Sequence, residues 1–253
     1  MFDSGAGGLS VLRAFQTMAP NERVIYFADT DYFPYGPRPA AEVRKRSFAI
    51  ASRLLASGVK LIVVACNTAS AAAIEDLRQA FPVPFVGMVP GVKPAASTSP
   101  GRHVAILATS GTLDGGLYGR VVDEFGRGAT IDNLPGAGLA ELVERGEHAS
   151  PAARAAVRRV LEPAVSAGAD TVVLGCTHYA FLAGDIAAEF PGVRIVDTSE
   201  AVARRAVQVL KESALEAPET QSGELALIVS GDREQFKATM AGLGFAATTE
   251  VSA

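Results

Sequence analysis

Two cysteines, Cys66 and Cys176, occupy matched settings in this chain. Ser57–Cys66 reads S-G-V-K-L-I-V-V-A-C, and Ala167–Cys176 reads A-G-A-D-T-V-V-L-G-C. In each copy a small residue and a glycine close a helical stretch, a short apolar strand follows, and a small residue leads into the cysteine. Each cysteine falls eight residues after its glycine, Gly58 or Gly168, and a threonine follows closely in both. The glycine suits the left-handed position that ends a helix. A thiol just past a strand and just before a helix meets amide donors and a dipole that favour the thiolate, its reactive form. A lone free cysteine is as readily a small buried hydrophobe. Two of them in matched positions, each followed by polar residues, favour chemistry over packing.

Those following residues add function. Asn67 and Thr68 come after Cys66, and Thr177 and His178 after Cys176. Hydroxyls, an amide and free backbone N–H groups at a helix start are good donors for a carboxylate. Zinc is the rival reading for two cysteines and a histidine. No C-x-x-C pair exists, however, and Cys176 and His178 are too close in sequence for a usual ligand pair. His103 is expected to flank a strand and His148 to lie in a polar turn, so no metal site is expected. The opening Phe2-Asp3-Ser4-Gly5-Ala6-Gly7-Gly8 is a strand stub followed by a glycine-rich turn into a helix. It matches neither the dinucleotide fingerprint nor the P-loop, and close backbone approach to a small anion fits it better. Pro34-Tyr35-Gly36 closes another loop; taken alone, its tyrosine reads as packing.

The elements that position these residues are short apolar strands alternating with alanine-rich helices. Strands are predicted at Arg23–Ala28, Leu61–Ala65, Pro84–Met88, Val104–Ala108, Thr130–Leu134, Thr171–Leu174, Arg194–Val196 and Leu225–Val229. Helices are predicted at Gly8–Met18, Ala40–Ala56, Ala69–Ala80, Ala152–Ala167, Ala183–Phe190 and Glu200–Ser213. Such alternation indicates crossover units and mainly parallel sheets, whose ligands bind beyond the carboxyl ends of the strands. Pro94–Gly101 is the best linker by composition, and Ala214–Gly223 is a second soft region. The cysteine repeat, one copy in each half, suggests two similar α/β domains facing each other; two similar strands of one sheet are the alternative.

A chain of 253 residues accommodates one large or two modest domains. A formal net charge of -4 gives no support for nucleic acid or an anionic membrane as partner. The one short basic cluster, Arg44-Lys45-Arg46, reads as a solvated helix face. No apolar run approaches the roughly 20 residues of a membrane span, and no signal peptide is visible. Two cysteines make no disulfide framework, which points to the reducing cytoplasm.

Assembled in order, the motifs FDSGAGGLSVL (Phe2–Leu12), YFADT and PYG (Tyr26–Thr30, Pro34–Gly36), VVACNTAS (Val63–Ser70) and VLGCTHY (Val173–Tyr179) resemble the glutamate racemase family, within the aspartate/glutamate racemase superfamily. The likeness runs nearly the full length. It implies two similar, mainly parallel-sheet α/β domains related by a pseudo-twofold, with the active site in the cleft between them. The first is expected over 1–93 plus 206–253 and carries Cys66; the second, over 94–205, carries Cys176. The resemblance implies cofactor-independent racemisation of L- and D-glutamate, supplying D-glutamate for peptidoglycan. Cys66 and Cys176 would flank the substrate Cα, one thiolate removing the α-proton while the other thiol delivers one to the opposite face. By the family's usual assignment Cys66 acts on D-glutamate and Cys176 on L-glutamate. Carried over by motif position, Asp3, Ser4, Tyr35, Gly36, Asn67, Thr68, Thr177 and His178 are substrate contacts or helpers. Asp3 assists Cys66, His178 assists Cys176, and Glu144 is a third helper. No cofactor or metal is implied; glutamate is the partner, and a homodimer is compatible with the resemblance. The sequence departs from the family in two places. The first strand lacks several residues that usually complete it, so it is expected to be short. Around Leu134–Gly138 the family's cysteine before the proline is absent, and the spacing to Glu144 is unusual.

Three rivals remain at this level. A racemase of aspartate or another acid would share both cysteines. A thiol oxidoreductase would normally bring its cysteines together through C-x-x-C, which this chain lacks. A small-molecule-binding protein with a dead site would have no need of two intact cysteines.

Overall fold

The computed structural model describes residues 1–245; the last eight residues of the expected 206–253 segment lie outside the described residues. The first sheet is built from β1 (Phe2–Asp3), β2 (Val24–Ala28), β3 (Ile62–Val63) and β4 (Phe85–Val86), alternating with α1 (Leu9–Met18), α2 (Ala40–Ala56) and α3 (Asn67–Ala80). The chain then passes through α4 (Val92–Thr98) into β5 (His103–Ala108), α5 (Ser110–Leu113), α6 (Gly116–Phe125), β6 (Thr130–Pro135), α7 (Leu139–Glu144), α8 (Pro151–Ser166), β7 (Thr171–Gly175), α9 (Ala183–Glu189) and β8 (Arg194–Val196). It returns through α10 (Ser199–Glu212), β9 (Leu225–Val229) and α11 (Arg233–Gly242).

Among the described residues every strand pairing is parallel. The second sheet has the order β6-β5-β7-β8. In the first, β9-β2-β1 and β3-β4 are joined by a Phe2–Val64 bridge, with Ala65 N–H donating to the Phe2 carbonyl at 2.8 Å. Its order is therefore β9-β2-β1-β3-β4. Setting β9 aside, β2-β1-β3-β4 and β6-β5-β7-β8 are the same winding, so the cysteine strands β3 and β7 hold equivalent places. Both central strands run through apolar core: all five residues of β7 are buried, as parallel sheets covered on two faces require. The glycines that open the repeat take the expected left-handed conformation, Gly58 at φ 75° and Gly168 at φ 107°. The first strand is two residues long, as expected.

Two expectations need correction. Pro94–Gly101 connects the sheets but is largely helix: α4 covers Val92–Thr98 and buries Val92, Ala95 and Ala96. Pro94 sits in its first turn, where the missing N–H has no helical partner to lose. The Arg44–Arg46 cluster is not simply a solvated face. Arg46 turns inward to pair with buried Asp29, Nη2 to Oδ1 at 2.5 Å. Helix α10 packs against α1 and runs through position 206. Among the described residues no helix is long and apolar enough to cross a membrane.

Candidate active site

Cys66 and Cys176 end their strands in near-identical backbone conformations, φ -146° ψ 122° and φ -143° ψ 137°. Cys66 is the residue before α3. Cys176 precedes a 3-10 turn, Thr177–Leu182, that leads into α9. Both thiols are free and buried. They stand at the carboxyl ends of β3 and β7, beside the point where the strand order reverses, where open α/β sheets bind ligands.

Asp3, at the end of β1, is fully buried. Its Oδ1 accepts from the Ser4 backbone N–H at 2.7 Å and Ser4 Oγ at 3.3 Å; its Oδ2 accepts from Gly8 N–H at 2.5 Å and from Thr177 Oγ1 at 3.2 Å. Burial raises the Asp3 carboxyl above its ordinary value, against lowering by His178 and by the hydrogen bond of the Cys66 thiol. Burial also pushes the Cys66 thiol well up, and the Asp3 charge beside it pushes further. This end of the cleft therefore holds its proton.

The opposite end has different partners. His178 Nδ1 lies 3.8 Å from Cys176 Sγ, and its Nε2 is 2.7 Å from Glu144 Oε1. Burial works to lower the His178 imidazole, but hydrogen bonds and charge from Cys176 and Glu144 outweigh it and hold the group well above the ordinary histidine value. Glu144 is fixed in turn by the Ala6 N–H, which donates to Oε1 at 2.5 Å, and by Thr239 Oγ1, which donates to its backbone carbonyl at 2.8 Å. The unusual spacing from Leu134–Gly138 has not displaced it from His178.

The glycine-rich turn explains how residues far apart in sequence come so close. A Cβ on Gly5 would overlap the Glu144 carboxylate, and one on Gly7 would overlap His178 Nδ1 and Thr177 Oγ1. A Cβ on Gly36 would come within 2.9 Å of Thr109 Cβ, and the Gly36 carbonyl accepts from Gly111 N–H at 3.0 Å. First-sheet loops thus lie directly on second-sheet loops. Tyr35 is buried in the same cluster as Cys66, its hydroxyl donating to Asp29 Oδ2 at 2.5 Å.

Asn67 is 3 % exposed, and neither its Oδ1 nor its Nδ2 has a hydrogen-bond partner. A buried amide left open costs stability unless something else fills its valences, and a polar ligand in the cleft would do so. Thr68 Oγ1 lies 2.8 Å from Thr109 Oγ1 and 3.3 Å from Thr112 Oγ1, which forms a hydroxyl cluster across the two sheets. Thr109 and Thr112 were not singled out from sequence. The signal was available: Thr109 directly follows β5, at the same strand-end level as Cys176. Among the described residues no three His, Cys, Asp or Glu side chains gather in a way that could hold a metal ion. A cavity of about 380 Å³ lies elsewhere, at the amino-terminal edge of the first sheet, where Ile25, Gly58, Lys60 and Ala226 line it; it contains none of these groups.

Sequence and structure comparisons bear on this arrangement. The family profile described as Asp/Glu/Hydantoin racemase matches residues 7–206. A glutamate racemase of Deinococcus radiodurans is 43% identical over 243 residues, 95% of this chain and 84% of that protein. The crystal structure of glutamate racemase from Thermus thermophilus in complex with β-chloro-D-alanine superposes with a TM-score of 0.86 at 39% identity, over 100% of this chain and 94% of that one. The Escherichia coli glutamate racemase in complex with L-glutamate and the activator UDP-MurNAc-Ala gives 0.83 at 35% identity, over 95% and 92%.

Proposed function

This chain belongs to the Asp/Glu/Hydantoin racemase family and, within it, to the glutamate racemases, and from that premise we propose that it interconverts L- and D-glutamate by a two-thiol proton transfer without a cofactor. It is an isomerase, which sets aside the oxidoreductase and dead-site readings. Glutamate is favoured over aspartate because relatives at this identity and coverage carry that name.

The observation that carries the mechanism is the placing of two equivalent cysteines at matched strand ends, one beside Asp3 and the other beside the His178–Glu144 pair. Cys176, beside the His178–Glu144 pair, begins as thiolate and takes the α-proton from one face of L-glutamate. Cys66, kept protonated by burial and by Asp3, gives its proton to the other face of Cα. The product is D-glutamate, with Cys66 now thiolate and Cys176 thiol; the reverse reaction exchanges the roles. Between the two steps, the negative charge on the substrate is spread into its carboxylate. Preorganised donors must hold that charge, since they are worth most where water is excluded. Asn67, with its open amide, and the hydroxyl of Thr68 supply them, together with backbone amides at the α3 start, while Ser4 and Thr177, whose hydroxyls donate to Asp3, hold that carboxylate in place. Tyr35 and Gly36 close the cleft wall.

The division into lobes, 1–93 with 206–253 and 94–205, remains part of this proposal, with α10 bringing the chain back to the first sheet. So do a cytoplasmic location, supply of D-glutamate for peptidoglycan, and the homodimer. The test is incubation with L-glutamate in D2O after exhaustive dialysis against a chelator. D-glutamate carrying one deuterium at Cα is expected, with no added cofactor. Loss of activity on dialysis, restored by a metal or by pyridoxal phosphate, would contradict the mechanism.

A further inference from the structure

The Cys176 thiol has a visible support in His178 and Glu144. The Cys66 side has one that nothing so far has assigned. Asp29 is fully buried, yet its carboxylate is saturated: Arg46 Nε and Nη2 donate to Oδ2 and Oδ1 at 2.7 and 2.5 Å, and the Tyr35 hydroxyl donates to Oδ2 at 2.5 Å. Many of this chain's ion pairs are exposed on both sides, such as Arg23–Glu224 with side chains 68% and 55% exposed; the Arg46–Asp29 pair is 24% and 0% exposed. A desolvated, bidentate pair with every acceptor used is costly to break and holds its neighbours in one geometry.

Its place in the fold gives that geometry a use. Asp29 directly follows β2, and its N–H donates to the carbonyl of Asp3 at 2.9 Å, so it sits one strand over from the carboxylate that faces Cys66. The loop that follows is tied to it. Tyr32 N–H donates to the Asp29 carbonyl at 3.1 Å, Arg38 Nε donates to the Tyr32 carbonyl at 2.7 Å, and the Arg46 guanidinium lies 4.3 Å from the Tyr32 ring centroid. The loop delivers the Tyr35 ring into the buried cluster that contains Cys66, and Gly36 to the Gly111 N–H of the other sheet. With its proton committed to Asp29, the Tyr35 hydroxyl is no donor to a thiolate at Cys66, and its ring is held in the buried cluster that contains that thiol.

We propose that Asp29 and Arg46 are positioning residues for the Cys66 half of the reaction, fixing Tyr35–Gly36 beside that thiol as His178 and Glu144 fix the surroundings of Cys176. The inference rests on the two-thiol reading. Because the two directions of a racemisation are bound by an equilibrium constant of one, kcat/KM falls equally in both. Elimination from a substrate analogue with a leaving group on the β-carbon reads one face at a time. Each enantiomer of the analogue is assigned to a face by whichever of Cys66→Ser and Cys176→Ser abolishes its elimination. Asp29→Asn is then expected to slow elimination at the Cys66 face roughly tenfold or more relative to the Cys176 face, as misplacement near a reacting group does. Arg46→Lys, which keeps the charge but loses the fork, should give a smaller bias of the same sign. If Asp29→Asn does not fold, Tyr35→Phe, which removes only the hydroxyl, must give the bias. Equal slowing on both faces, a bias toward the Cys176 face, or no slowing overturns the inference. Should the two cysteine variants fail to split the enantiomers, the two-thiol reading falls and this inference with it. Should they split while Asp29→Asn leaves the ratio unchanged, only this inference falls.

Discussion

In the two-thiol reaction proposed above, Cys66 starts as thiol beside Asp3 and Cys176 as thiolate beside His178, and two consequences follow at the level of the residue. In the L-to-D direction the proposed reaction needs the Cys66–Asp3 unit protonated and the Cys176–His178 unit carrying a thiolate, and in the other direction the reverse, so activity against pH should form a bell. Its two apparent values belong to the coupled pairs rather than to single residues; a rate that climbs monotonically until the protein denatures would contradict this. The second consequence concerns stability. The folded-state value of His178 is raised well above the ordinary one. Its stabilising contribution is therefore complete below the ordinary histidine value, about 6.5, and is lost as pH rises through the raised one. The gap in melting temperature between the native protein and His178→Gln should be widest on the acid side of neutrality and close as the solution becomes alkaline. A gap that widens with pH would reverse the assignment. The residues themselves were legible in sequence, because Cys66, Cys176, Asp3 and His178 lie in short motifs at strand ends; which thiol starts charged was not. Asp29 and Arg46 were not, because an Asp after a strand and an Arg on a helix become informative only once folding buries the first against the second.

At the level of the element, the glycine-rich turn between β1 and α1 decides how closely the two sheets approach. Its glycines are needed for space: neither Gly5 nor Gly7 has a positive φ, yet a Cβ on either would enter the His178–Glu144–Thr177 group. Gly7→Ala should lower stability by about 1–3 kcal/mol through overpacking and reduce activity far more than that loss explains, because it presses on His178. Gly119 is the control. It is exposed within α6, and a Cβ there meets nothing, so Gly119→Ala should stabilise by about 0.5–1 kcal/mol with activity intact. Thermal melts and initial rates check both, and equal effects of the two changes would refute the argument. Two of the helices that sequence reading missed, α4 and α6, share a physical cause. α6 opens on Gly115-Gly116, and α4 holds a proline, so local propensity favoured loops; packing of Tyr118 and of Val92 and Ala95 into the second lobe's core overrode it. α11 is largely polar and starts from an Asp232 cap, whose side chain accepts from Gln235 N–H at 3.0 Å.

At the scale of the molecule, the matched sheet orders turn a chemical requirement into an architecture. The substrate and product of the proposed reaction are mirror images, and two lobes of like winding, each ending a central strand in cysteine, would bring like groups to opposite faces of one carbon. The repeat carried this in sequence; the equal strand order was not visible there, since pairing is a long-range property. Because both lobes line the cleft, glutamate at a hundredfold excess over its Kd should stabilise the protein by about 2.7 kcal/mol. Protection from hydrogen exchange should appear in both lobes, after β1 and β3 as well as after β5 and β7; protection of one lobe alone would argue against a shared site. The most direct test of the account replaces one thiol at a time. Cys66→Ser and Cys176→Ser, each first verified to be folded, should both lose racemisation, since a serine hydroxyl is far less acidic than a thiol. Each should still eliminate a β-leaving group from one enantiomer of an analogue, because elimination needs no proton on the far face. The account predicts that the two variants retain elimination on opposite enantiomers. Retention or loss on the same enantiomer by both would contradict it.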